Sequence, residues 1–429
     1  MMFRWRAALT LLVVLTCLPP VLVAAKRKVS VNDWPQWRGP HRDGISPETG
    51  LLEEWPDSGP SLAWEAKGLG SGFASVAVAD SLIYTLGSSG GREHLSAYNA
   101  ADGKPLWSCP VGRGDHSNGT PTVDGDRVYA IGLQGDLVCA NTRDGQVVWR
   151  KNLGSDFGGR MMSGWGFSES PLVDGDRLIC TPGAQDAMLV ALDKRTGETL
   201  WKAAMPAEVG NKGKDGAGYS SIVVSHAAGV KQYVQLVGRG VIGVSADDGK
   251  VLWTYNRIAN GTANIPTPIV KDDYVFCSSG YGDGGTALLK LSKQGGGVKA
   301  EEVYYRKANE LQNHHGGMIL LGDYVYFGKG HNNGFPVCVN FETGEPAWAP
   351  GRGPGTGSAA IAYADGNLYF RYQNGVMALI EATPEKYTLK SKFQLPMYGR
   401  ESWPHPVIAD GRLYLRDQDV LMAYDIAAR

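Results

Sequence analysis

The stretch Leu189-Val-Ala-Leu-Asp193-Lys-Arg-Thr196-Gly197-Glu-Thr-Leu-Trp201 is an alternating apolar run, a polar turn closed by Gly, and a second run that ends in Trp. Alternation with period two reads as strand, and two such runs joined through a Gly-closed turn read as a hairpin. The same arrangement runs from Leu95 to Trp107, Leu137 to Trp149, Val241 to Trp253 and Pro336 to Trp348, with Trp four residues beyond Gly103, Gly145, Gly197, Gly249 and Gly344. Successive glycines are 42, 52, 52 and 95 residues apart. The last gap holds a degenerate copy from Leu288 to Gly295 that ends on Tyr304 and Tyr305 in place of Trp.

A second hairpin precedes each of these. Thr120-Pro-Thr-Val-Asp124-Gly-Asp-Arg-Val-Tyr129 recurs as Ser170 to Ile179, Val270 to Phe276, Leu321 to Tyr326, Ala364 to Tyr369 and Ala409 to Tyr414. Asp-Gly and Gly-Asp tolerate the positive φ of tight turns, so each unit is an A–B hairpin followed by a C–D hairpin. A period of this length is that of a four-stranded propeller blade. Eight A strands are expected to start near Phe73, Asn118, Ser168, Tyr219, Ile265, Gly316, Ser358 and His405. The eighth unit reaches Leu421–Asp425 without a D strand, whereas Ser61-Leu-Ala-Trp64-Glu65 has the form of a D strand with no unit before it. The reading is an all-β, eight-bladed propeller over residues 61–429, its ring closed by this N-terminal strand. With 58 Gly and 23 Pro in 429 residues and no long helical periodicity, we read one domain despite the length.

Arg4 and Arg6 precede an uncharged apolar stretch from Ala7 to Leu18, and Val23-Ala24-Ala25 offers a cleavage site, so residues 1–25 are expected to be a signal peptide and 26–60 an extension. The mature chain is then periplasmic, secreted or at the cell surface, with no transmembrane segment. Thr16 and Pro19-Pro20 do not suit lipidation at Cys17. The mature chain carries 40 basic and 43 acidic residues, which argues against nucleic acid as a partner. Cys109, Cys139, Cys180, Cys277 and Cys338 are odd in number and set in or beside strands, as buried thiols would be, and they show no zinc spacing.

At Ala191, Asp193, Thr196, Gly197 and Trp201 the chain resembles the pyrroloquinoline-quinone (PQQ) type of β-propeller repeat. The opening Asp33-Trp-Pro-Gln-Trp-Arg-Gly-Pro-His-Arg-Asp-Gly-Ile45 resembles the segment that begins many exported bacterial PQQ-binding-like propellers. Relatives of this repeat include quinoprotein alcohol dehydrogenases and the non-enzymatic propeller lipoprotein of the outer-membrane β-barrel assembly machinery. The repeat itself implies fold rather than cofactor. Trp64, Trp107, Trp149, Trp201, Trp253 and Trp348, one per blade on an outer strand, are expected to dock one blade on the next.

Function is expected where the repeats differ, in the D–A connections 108–117, 150–167, 202–218, 254–263, 306–314, 349–357 and 394–402. Residues at or before the A strands would ring a funnel: Arg113, His116, Asn118, Trp165, Glu169, Tyr219, Asn264, His314, His315, Trp403 and His405. A quinoprotein would need Ca²⁺ on carboxylate and amide oxygens, flat groups around the quinone, cations for its carboxylates and a base. The resemblance would assign Glu169 and Asn264 to Ca²⁺, Trp165 or Trp403 to stacking, and Arg113 or Arg160 to a PQQ carboxylate. Against this, no two cysteines adjoin and no CxxCH is present. Binding or scaffolding of a protein, peptide or carbohydrate ligand therefore ranks first. PQQ- and Ca²⁺-dependent oxidation of alcohols or sugars is the alternative.

Overall fold

The computed structural model describes residues 1–2, 33–399 and 401–428. The expected signal peptide, its cleavage site near Ala25 and Cys17 lie outside them. Eight four-stranded antiparallel sheets are arranged as the blades of a propeller, seven of them built from consecutive strands. The third is typical: Leu172–Asp174, Arg177–Cys180, Leu189–Asp193 and Thr199–Ala203 run from the central channel outward. In the eighth, Ser61–Lys67 pairs antiparallel with Val420–Asp425, from Ser61 opposite Asp425 to Lys67 opposite Val420, with a bulge between Leu62 and Trp64. The orphan N-terminal strand thus closes the ring, and each blade has four strands. Among the described residues no helix is long and apolar enough to cross a membrane.

Adjacent blades are joined at three radii. Outside, a Cβ at Gly103, Gly145, Gly197 or Gly249 would lie 2.4–2.9 Å from the indole of Trp64, Trp107, Trp149 or Trp201, so each ring sits on the turn glycine of the following blade. Trp64, Trp107 and Trp149 also donate their Nε1–H to a carbonyl of that turn, at 3.0–3.1 Å. Tyr304 takes the same place over Gly344, which explains why the degenerate repeat tolerates loss of Trp. Trp348 instead donates to Thr383 O at 2.8 Å. Trp253 corrects the expectation of uniform docking. Its Nε1–H donates to Gln232 Oε1 of its own blade at 2.6 Å. The next blade's turn at Gly295 belongs to a hairpin that extends from Gly285–Gln294 to Gly297–Lys307, so Trp253 lies on its own Gly243 instead.

Between these radii, apolar faces pack blade against blade, as where Tyr129, Leu137 and Cys139 meet Leu178, Cys180 and Val190. All five described cysteines are buried and free. Near the axis, the backbone N–H of Ser75, Thr120, Ser170 and Ser221 donates to the hydroxyl of Thr120, Ser170, Ser221 and Thr267 of the following blade, at 3.0–3.1 Å. A short hydroxyl at this position can satisfy a buried N–H across the narrow inner gap.

Two connections differ from expectation. Residues 108–117 are not wholly a loop, because Pro105–Arg113 continues as strand with Cys109 and Val111 buried in alternation. The connection before the sixth blade is likewise strand at both ends: Gly297–Lys307 and Asn313–Leu321 leave only a short link.

The extension enters the ring. Trp34 exchanges backbone hydrogen bonds with Val78 of the first blade, Val123 N–H donates to Pro35 O, and Ser46 and Gly44 pair with Tyr363 of the seventh. Residues 33–46 therefore cross the central channel as a plug.

Candidate functional site

Above the plug, the segments leading into the A strands enclose a cavity of about 170 Å³. Trp37 of the plug is part of its lining, and His405 leans on that indole at 5.5 Å between ring centroids. Trp403 packs against Phe73 at 4.5 Å, His315 at 5.1 Å and Trp165 at 6.0 Å, forming an aromatic wall. The Trp403 indole is steered by its Nε1–H to Gln373 Oε1 at 3.0 Å. Trp165 is half exposed, and Tyr219 holds its loop by accepting from Trp165 N–H at 3.3 Å and bonding Ser163 Oγ at 2.7 Å. Asn118 donates to Trp165 O and Ser168 Oγ at 3.1 and 3.0 Å.

The histidines reach the funnel through an irregularity of the sixth blade. Asn313 pairs with Lys329 but Met318 pairs with Phe327, so residues 314–317 stand opposite Gly328 alone. A bulge of this kind re-aims side chains. It carries His314 and His315 into the cavity lining. Gly317 at φ +78° lets the bulge pass over Arg38, whose guanidinium occupies the space a Cβ would need. His314 Nδ1 bonds Ser358 Oγ at 2.5 Å, and the Nε2 atoms of His314 and His315 and Nδ1 of His405 are buried without a partner. Burial holds these rings neutral, with pKa values lowered to about 2 for His314 and about 3 for His315 and His405.

Of the residues singled out in the sequence, Asn118, Trp165, Tyr219, His314, His315, Trp403 and His405 line the cavity. His116 flanks it, edge-on to Trp165 at 5.8 Å and paired with Asp115 at 2.6 Å. Arg113 is exposed at the end of its strand and does not line it. Arg160 faces Asp215 at 3.5 Å. Trp37, Phe73 and Tyr281 also line the cavity, and none was singled out as a site residue. Tyr281 sits in a B–C turn at φ +62°, flanked by Gly280 and Gly282. Its signal was an aromatic among glycines, on a connection outside the D–A set.

Glu169 and Asn264 are both buried and stand outside the lining. Glu169 accepts from Thr181 N–H at 2.7 Å, Thr181 Oγ1 at 2.8 Å and Gln235 Nε2 at 3.4 Å. Burial raises its pKa to about 8, which disfavours the charged form a cation would need. Asn264 Oδ1 accepts from Asn260 N–H, Asn260 Nδ2 and Ser279 Oγ at 3.0–3.1 Å. Its amide nitrogen donates to Val237 O and Gly238 O at 3.0 and 3.1 Å. Both oxygen donors serve the scaffold, so this pair does not fit Ca²⁺. The cavity lining contains no Asp, Glu, Lys or Arg, so it also lacks cations for the carboxylates of PQQ. Among the described residues no group of three His, Cys, Asp or Glu is placed to hold a metal ion.

What the arrangement can do is hold an uncharged group between flat faces, with neutral ring nitrogens as hydrogen-bond donors or acceptors. Comparison with known proteins gives the fold a family. The chain is 25% identical over 191 residues to the outer membrane protein assembly factor BamB of Burkholderia pseudomallei, an alignment covering 44% of each chain. It thus spans less than half the length of that curated relative. Among solved structures, BamB from Moraxella catarrhalis superposes with a TM-score of 0.60 at 17% identity, over 86% of this chain and 98% of that one. Quinohemoprotein alcohol dehydrogenase from Comamonas testosteroni gives 0.61 at 13%, over 92% and 81%. At these identities the likeness is one of fold. The family model described as outer membrane protein assembly factor BamB, of the PQQ-repeat type, matches residues 56–133 and 91–350, and the chain belongs to that β-propeller family.

Proposed function

We propose that this chain is an exported binding or scaffolding protein of the periplasm or cell surface, and that it receives an uncharged, flat or apolar part of a partner polypeptide in the funnel above Trp37. The observation that carries this reading is the composition of the funnel: Trp165, Tyr219, Tyr281 and Trp403 with neutral histidines and no charged side chain. Large aromatic faces supply contact area at low conformational cost and dominate recognition energetics. Membership of a family whose model is described as an assembly factor supports a protein partner over a small substrate. The export assignment rests on the N-terminal sequence.

The test is titration calorimetry with synthetic peptides bearing or lacking a central aromatic residue. Trp165→Ala and Trp403→Ala are expected to weaken binding by about tenfold or more, the effect of removing an interface anchor. Addition of PQQ with Ca²⁺, primary alcohols and an artificial acceptor is expected to give no turnover. Turnover, or peptide affinity indifferent to both tryptophans, would overturn the reading. A neutral oligosaccharide that binds in a Trp403-dependent manner while peptides do not would move the ligand to carbohydrate.

A further inference from the structure

The plug divides the channel, and beneath it lies a second cavity of about 500 Å³. Its wall is formed by A-strand side chains of the third to sixth blades, among them Leu172, Val224, Ile269 and Leu320, and its polar side by Arg38, Arg42 and Asp43 of the plug. A concavity of this size, apolar on the A-strand side and polar on the plug side, has the form of a small-molecule site.

The two arginines are buried, each about 4% exposed. Their hydrogen bonds go to neutral oxygens. Arg42 donates to Gln36 Oε1 at 2.9 Å, Pro171 O at 3.2 Å and Ser170 O at 2.7 Å, and Arg38 donates to Asp43 O at 2.7 Å and to Met318 O. The Nε of both is buried with no partner. Among the described residues neither guanidinium makes an ion pair within 4.0 Å. Asp43, the acid that acts on Arg38 through space, uses Oδ1 to accept from Ile45 N–H at 3.0 Å. Glu169, the acid that acts on Arg42 through space, is engaged by Thr181 and Gln235. Burial raises the pKa of Glu169 to about 8, so it compensates Arg42 poorly near pH 7; burial also raises the pKa of Asp43 above its ordinary value, with Arg38 acting against that shift. A buried cation without a counter-charge is costly, and an anion from solution would relieve that cost.

We propose that the cavity beneath the plug is a second ligand site, specific for a small organic carboxylate whose anionic head lies against Arg38 and Arg42 and whose apolar body fills the space between the A strands. The head would form charge-assisted hydrogen bonds with the guanidinium N–H groups that line the cavity. The site is separate from the funnel and does not depend on what the funnel binds.

Hexanoate is the probe, with hexanol and hexylamine as uncharged and cationic counterparts of the same length. Calorimetry on the full mature chain at pH 7 is expected to show saturable binding of one hexanoate, with hexanol at least tenfold weaker and hexylamine silent. Val224→Trp, which fills the cavity and leaves both arginines in place, is expected to abolish binding, as is Arg42→Gln. The funnel variant Trp403→Ala is expected to bind hexanoate like the parent chain, so failure of one site is distinguishable from failure of the other. Circular dichroism establishes that each variant is folded. Equal affinity for hexanoate and hexanol, retention of hexanoate by folded Val224→Trp, or no saturable binding would each overturn the proposal.

Discussion

The contact between Trp107 and Gly145 separates packing from hydrogen bonding. The indole lies where a Cβ on Gly145 would be, 2.4–3.0 Å from its ring atoms, and its Nε1–H reaches Thr142 O at 3.0 Å. Trp107→Ala should cost about 3 kcal/mol, the low end of the range for large aromatics, because the ring is only partly buried. Gly145→Ala places a side chain at φ +70° and into the ring. The first effect costs about 1–2 kcal/mol and the second about 1–3 kcal/mol. In the double variant the ring is gone and the steric part vanishes, so the two changes should couple by about 1–3 kcal/mol, within the range found for touching residues. Trp201 provides the control, because it covers Gly249 in the same way while its Nε1 is buried without a partner. Trp107→Phe should therefore cost about 1–2 kcal/mol more than Trp201→Phe, the worth of one lost bond to a half-buried carbonyl. Urea denaturation followed by far-ultraviolet circular dichroism measures all five variants. Additivity within about 0.5 kcal/mol, or equal costs for the two Phe variants, would refute the role assigned to the ring over the glycine.

Deleting residues 26–66 removes most of the Ser61–Lys67 strand and the plug, exposing the edge of Val420–Asp425; size-exclusion chromatography is expected to show aggregation, and a monomer with unchanged melting temperature would refute closure. Thr120→Val keeps the shape but removes the acceptor of Ser75 N–H; the melting curve should report a loss of about 1–3 kcal/mol for that buried donor. His314, His315 and His405 have folded pKa values of about 2 to 3, below the ordinary 6.5. The unfolded chain therefore binds more protons below pH 6.5, and their contribution to stability is lost as pH falls from about 6.5 toward 3. His315→Gln is expected to flatten that acid limb in denaturation midpoints measured between pH 7 and 4. Glu169 acts in the opposite sense, since its raised pKa of about 8 makes stability fall as pH rises from about 4.5 to 8.

Blade number, strand order and ring closure are legible in the chain alone, because each follows from a local pattern repeated in register. Period-two alternation, Asp-Gly turns and a Trp four residues past a Gly each depend on neighbours close in sequence. Asn118, Trp165, Tyr219, Trp403 and His405 are legible for the same reason, as they occupy the recurring place just before an A strand. The tertiary structure decided what repetition could not. Glu169 and Asn264 stand at funnel positions in sequence but turn into the wall, where Thr181, Gln235, Asn260 and Ser279 engage their oxygens. His314 and His315 enter the cavity through a bulge fixed by pairing with Tyr324–Lys329, and Tyr281 enters from a turn of the fifth blade. Trp37 and the two buried arginines belong to a segment with no repeat in the chain, and its destination is set by blades one, two, three, six and seven together. Direction and burial of a side chain depend on partners tens to hundreds of residues away, and no local period carries that information.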